Sequence, residues 1–208
     1  TGSVDVSGGV LTLTNTGNSY SGGTSITGGS LSLGANEVLP NGGAVAITSP
    51  GTLNLNGKSE TIDGLSGNGT VTSGVAGAAS LTAGAGGAST NFAGTIQNGS
   101  GTVSFAKSGA GILTLSGANT YGGATTVQSG TLVAQGGSAI PDAPATTVQA
   151  GATLSLASSE TVGPLTLESG TAAGATVQVG GNVLTLAGDV TLNVTGTARL
   201  AVREVAQA

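Results

Sequence analysis

Gly109-Ala-Gly-Ile-Leu-Thr-Leu-Ser-Gly-Ala-Asn-Thr-Tyr-Gly-Gly-Ala-Thr-Thr-Val-Gln-Ser-Gly-Thr-Leu-Val133 reads as strand, glycine turn, strand, glycine turn, strand. Leu113 and Leu115 alternate with polar residues, Thr125 and Val127 flank Thr126, and Thr131, Leu132 and Val133 follow Gly130. Each run is too short for a helix and has the period of two expected of a half-buried strand. The glycines between them mark corners, since a residue without a Cβ accepts the backbone angles of a tight turn.

The start of the chain repeats this sentence in residues 10–13 (Val-Leu-Thr-Leu), 20–26 (Tyr-Ser-Gly-Gly-Thr-Ser-Ile) and 29–33 (Gly-Ser-Leu-Ser-Leu). Tyr20 matches Tyr121, Ile26 matches Val127, Leu31 matches Leu132, Pro40 matches Pro141, Leu53 matches Leu154 and Leu55 matches Leu156, always 101 residues apart. A long period filled with shorter strand-turn periods is the mark of a solenoid. The expected organisation is one all-β solenoid over residues 1–208, with an internal duplication of about 9–65 and 111–165.

Composition narrows the class. Glycine makes up 40 of 208 residues, charged residues 6% and aromatics 2%, and Cys, His, Met and Trp are absent. Glycine without a Gly-X-Y period excludes collagen, and an apolar share of 38% with a net charge of −5 argues for folding rather than disorder. The only cations are Lys58, Lys107, Arg199 and Arg203, which form no basic stripe, so nucleic acid is not an expected partner. No run approaches the ~20 apolar residues of a membrane helix, and the strands lack aromatic girdles, so no membrane insertion by this segment is expected. Residues near Thr1 show no basic-then-apolar leader; either a mature fragment or another export route is the expectation.

Paired glycines recur at Gly8-Gly9, Gly22-Gly23, Gly28-Gly29, Gly42-Gly43, Gly86-Gly87, Gly122-Gly123, Gly136-Gly137 and Gly180-Gly181, and alternating apolar residues resume soon after nearly every pair. They read as corners. Residues 74–89 are the least regular stretch, with only Val75 and Leu81 as anchors; a thin, alanine-packed rung is favoured over a flexible joint. Residues 197–208 break the glycine pattern and read as a last strand or a short capping helix. Leucine spacings of 20 (Leu13 to Leu33) and 22 (Leu33 to Leu55) imply a coil of that length, hence about 9 or 10 coils stacked at ~4.8 Å into a rod about 45 Å long. An antiparallel sandwich or barrel is the competitor, because Asn41-Gly42, Asn56-Gly57 and Asn98-Gly99 are hairpin-type turns.

Phe92-Ala-Gly-Thr-Ile96, Phe105-Ala-Lys-Ser-Gly-Ala-Gly-Ile-Leu-Thr-Leu-Ser-Gly-Ala-Asn-Thr-Tyr121 and Gly130-Thr-Leu132 together resemble the passenger-associated transport repeat of bacterial autotransporters, and the second half of the motif returns in residues 20–33. The resemblance covers about half the chain. It implies a right-handed parallel β-helix, export through the outer membrane, display at the cell surface with adhesive or other activity, and a part in passenger folding during secretion. Tyr121 is followed by Gly-Gly-Ala-Thr where the family usually has Ser-Gly-Gly-Thr, the form kept at residues 21–24.

Candidate sites are few. Without His or Cys no base-assisted triad is available, and Ser-Lys chemistry would need Lys58 or Lys107 beside a particular serine. The nine carboxylates are thinly spread; Glu60 and Asp63 are close together, yet Glu60 aligns with Glu160 while Asp63 aligns with Gly163, which favours a stacked or solvated corner over an acid-base pair. The Gly-rich stretch ending at Asp189 has the wrong spacing for calcium, and no metal, cofactor or catalytic residue is assigned. Tyr20 and Tyr121 sit at equivalent corners and are the candidate surface contacts, for sugar or another subunit; packing of each ring over neighbouring glycines is the preferred alternative.

The expected role is non-enzymatic: an extracellular or cell-surface structural and adhesive segment, with a host-surface or glycan ligand as candidate partner. The alternative is a head-to-tail homo-oligomer, a filament subunit whose exposed strand edges template association. A polysaccharide-active enzyme is the least favoured reading.

Overall fold

The computed structural model describes residues 2–194 and the strand Ala201–Arg203. Among the described residues there is no helix, and the strands stack in parallel as a β-solenoid of about 9 turns. Alternation decides what goes inside. In Thr102–Lys107 the side chains of Val103, Phe105 and Lys107 are buried, while Thr102, Ser104 and Ala106 face outward.

Each coil crosses three faces. On the first, residues 4–6 and 24–26 are followed upward by Val45–Ile47, Leu65–Gly67, Thr90–Phe92, Ile112–Leu115, Thr131–Ala134, Thr153–Leu156, Thr176–Gln178 and Ala201–Arg203. The second face stacks residues 10–13 and 30–33, then Thr52–Asn54, Thr70–Thr72 and Thr95–Ile96, passes through a single bridge from Gln97 to Thr120, and resumes as Glu160–Val162 and Leu184–Leu186. The third carries Ser59–Ile62, Ala78–Ala83, Thr102–Lys107, Thr125–Val127, Thr146–Val148, Leu165–Ser169 and Val190–Val194. Every pair of these strands is parallel, which sets aside the sandwich.

Parallel register places like above like. Leu31, Leu53, Val71 and Ile96 form one inner column, and Leu113, Leu132, Leu154 and Val177 another. Each such side chain gains roughly 1.5–3 kcal/mol by leaving water. Coils run from 18 residues (Thr52 to Thr70) to 25 (Gly67 to Phe92), wider than the 20–22 expected, because corner loops absorb insertions without disturbing the columns.

Two glycine columns explain much of the composition. A Cβ on Gly94 would lie 2.0 Å from the carbonyl oxygen of Gly69, and one on Gly117 would lie 1.8 Å from that of Gly94. Likewise a Cβ on Gly109 would meet the Gly84 oxygen at 1.8 Å, and one on Gly130 the Gly109 oxygen at 2.4 Å. At these corners one coil's backbone rests on the next, and no side chain fits between. Gly8-Gly9 and Gly28-Gly29 are different: they lie within the long strands Val4–Leu13 and Thr24–Leu33, where the register shifts and the strand bends from the first face to the second.

Residues 78–83 of the irregular stretch are a rung, with Ala79, Leu81 and Ala83 buried in the third face. Of residues 197–208, only Ala201–Arg203 is described, as a strand beside Thr176–Gln178; the rest of that expectation lies outside the described residues.

The duplicated segments do not occupy equivalent faces. Residues 24–26 lie on the first face, but their counterpart Thr125–Val127 lies on the third; residues 30–33 lie on the second, but Thr131–Ala134 lies on the first. The separation of 101 residues therefore spans four whole coils and two further faces, not a whole number of coils. The same local sentence folds on any side of the prism.

Candidate functional site

The most distinctive chemistry lies inside the coil walls. Tyr121 is 1% exposed, its ring tilted at 48° against Phe105 with centroids 6.3 Å apart, and its hydroxyl shares a 2.7 Å hydrogen bond with Thr125 Oγ1. Tyr20 shares the same 2.7 Å bond with Thr24 Oγ1, but stays partly exposed. The candidate surface contact at Tyr121 is thus an interior residue, because the coil above closes over its corner. Burial raises both phenols, most strongly Tyr121; the threonine bond opposes the shift, and the nearby carboxylate, Glu60 or Glu160, adds to it.

Those glutamates are the second member of each cluster. Glu60 is 1% exposed, and its carboxyl accepts hydrogen bonds from the amides of Val38 at 3.0 Å and Leu39 at 3.2 Å, one coil away. Glu160 is 2% exposed and accepts from the Ile140 amide at 2.9 Å, while its second oxygen is buried without a partner. Both occupy inward strand positions next to the Leu39-Pro40 and Ile140-Pro141 corners. The solvated-corner reading of Glu60 gives way to a buried one. Desolvation pushes Glu60 up to about 7, against the pull of the two amides and with the help of Glu37. Glu160 is raised for the same leading reason, with Asp142 adding to it. Asp63 stands apart from this, accepting from the Ala88 amide at 3.0 Å.

Lys107 is fully buried in the inner column between Ala83 and Val127. Its stem packs with the apolar column, and its ammonium reaches the corner, where it donates to the carbonyls of Ser108 (2.5 Å), Gly109 (2.9 Å) and Ser129 (3.2 Å). Burial lowers its pKa, and Asp63 opposes the shift. Three carbonyls use all three ammonium protons and span two coils, so the group acts as a brace. Its ammonium is thus engaged by backbone carbonyls rather than by a serine hydroxyl. Among the described residues no group of carboxylates gathers in a way that could hold a metal ion.

Asparagines provide further braces. Asn119 accepts from the Ile96 amide and donates to the Ala139 carbonyl, tying three successive coils. Asn98 accepts from the amides of Val103 and Gly122, and Asn56 donates to the Leu33 carbonyl. Sequence reasoning missed the burial of Glu60, Glu160 and Lys107. For the glutamates a signal existed, since both copies keep the residue in the same context.

A parallel solenoid held by aliphatic columns and internal polar braces defines a class of repeat-built all-β folds. Within it, residues 6–33 and 105–134 match the passenger-associated-transport-repeat, so the chain carries two of the repeats that mark autotransporter passengers. The repeats and the solenoid fit a passenger segment, and this family implies secretion to the cell surface. No curated protein and no solved structure matches the chain.

Proposed function

We propose that the chain is a non-enzymatic rod within a secreted passenger, whose work is to hold a long, sparsely charged surface away from the cell and offer it for adhesion. The observation that carries this reading is the division of labour across the wall. Glu60, Glu160 and Lys107 are taken up as internal braces, while the outer faces carry hydroxyl ladders such as Thr126, Thr147, Thr166 and Thr191, stacked in register. A surface of this kind offers many weak, repeated contacts to a glycan or host surface, with no large charge to steer it.

The test is to coat beads with the purified chain and measure retention on glycan arrays and cultured cells. Retention that scales with coating density supports display for adhesion; beads no stickier than ones coated with a glycine-rich unstructured control contradict it.

A second reading, end-to-end assembly, is favoured by one observation. Inner-column side chains lose their cover toward both ends of the described rod, Leu11 at 37% in the first coil, and Leu186 at 36% and Leu192 at 53% in the last ones. Both ends present strands running the same way, so one molecule's last coil has the polarity to continue into another's first. Sedimentation that stays monomeric up to high concentration would remove this reading.

A further inference from the structure

We propose that the two buried glutamate clusters make the rod an acid-tightened structure: Glu60 and Glu160 each take up a proton as the pH falls, and the coils they brace become harder to separate.

The argument starts from geometry. Each carboxyl sits at an inward strand position, almost wholly removed from solvent, beneath a proline corner one coil away. Among the described residues no cation pairs with either. The charged or titratable groups facing Glu60 are Glu37 and Tyr20, and those facing Glu160 are Asp142 and Tyr121; none of these supplies a positive charge. The second carboxylate differs between the clusters. Glu37 aligns with Ser138, and Asp142 aligns with Asn41, so each copy has an acidic neighbour at a separate position. The chain has no thiol or imidazole to compete with these carboxyls as a group that titrates near neutrality.

Two forces compete at Glu60. The Val38 and Leu39 amides favour the carboxylate, whereas burial and the Glu37 charge favour the neutral acid. Burial wins, raising the group from 4.5 to about 7. At Glu160 the Ile140 amide, with a smaller pull from that of Ala139, favours the charged form, but burial again outweighs both. The unpartnered second oxygen there is better served as a hydroxyl. An acid whose folded pKa lies above its unfolded value binds its proton more tightly in the folded state. Its contribution to stability is complete below about 4.5 and is lost as the pH rises through about 7.

The experiment is denaturant unfolding of the chain at pH 5 and pH 8. The account expects a higher midpoint at pH 5, and for Glu60 alone a change in the folding equilibrium of roughly a hundredfold. Because the chain carries a net charge of −5, acid also relieves general repulsion, so variants must separate the two effects. The double variant Glu60→Gln, Glu160→Gln should lose most of the difference between the two pH values. The double variant Asp5→Asn, Asp189→Asn, which removes exposed carboxylates, should keep it. In Glu60→Gln the new side-chain nitrogen cannot accept from a backbone amide, so the glutamine variant is expected to be weaker at both pH values; the slope is the readout. If it fails to fold, carbon-detected NMR titration of the wild-type carboxyls decides, with a glutamate titrating near neutrality expected. A wild-type midpoint equal or lower at pH 5, a double glutamine variant with an unchanged slope, or carboxyls that all titrate below pH 5 would each overturn the proposal.

Discussion

Lys107 shows how a single residue can look like chemistry and act as architecture. Its ammonium binds three backbone oxygens drawn from two coils. Replacing it with methionine keeps the stem packed but leaves those carbonyls short of a donor, at a cost of about 1–3 kcal/mol. The expected result for Lys107→Met is a lower unfolding midpoint with an unchanged circular dichroism spectrum. The two tyrosines make a matched pair at the same scale. Tyr121→Phe strands the buried Thr125 hydroxyl and should cost about 1–2 kcal/mol, whereas Tyr20→Phe, at a partly exposed corner, should cost less; denaturant unfolding of the two variants checks the order. Burial of these groups was hard to read in the sequence because alternation alone gives a side, and a polar residue is assigned outward by default. Lys107 follows Val103 and Phe105 at the same parity and so pointed inward, but only the corner carbonyls explain why a charge is tolerated there.

At the scale of strands and corners, the sequence was most informative. Leu113 and Leu115, Thr125 and Val127, and Leu132 all fall on inward strand positions, as their alternation predicted. Turn chemistry was less decisive. Asn56 and Gly57 both adopt positive φ (53° and 73°), the signature of a hairpin turn, yet here they turn a corner between Thr52–Asn54 and Ser59–Ile62, which lie on different faces. Local backbone angles are the same in both settings, so the turn could not distinguish sandwich from solenoid. Corner glycines differ in what they tolerate. Gly117→Ala drives a Cβ into the Gly94 carbonyl and should be strongly destabilising, while Gly42→Ala meets nothing within 4 Å and should be close to neutral. Thermal melts of both variants test the glycine columns. Leu115→Asp tests the aliphatic ones: it buries an unpaired charge at a position with no exposed surface, and stability should fall by several kcal/mol.

Across the whole molecule, period and register are separate properties. The 101-residue duplication was legible because residue identities recur, but its placement on different faces was not, since corner loops vary and coil length runs from 18 to 25 residues. Stability in such a stack is a sum over neighbouring coils, so Leu11 and Leu192, inner-column residues exposed toward the two ends, mark where the described stack has the least cover. The central claim is that the third face is an unbroken parallel ladder from Thr61 through Thr82, Ala106, Thr126, Thr147 and Thr166 to Thr191. Because the chain has no cysteine, Thr61→Cys, Thr191→Cys can be spin-labelled at those sites alone, and pulsed electron paramagnetic resonance reads the distance between them. Six steps of the ladder predict a single population centred at roughly 29 Å. A broad distribution, or a peak well short of that value, would contradict the solenoid.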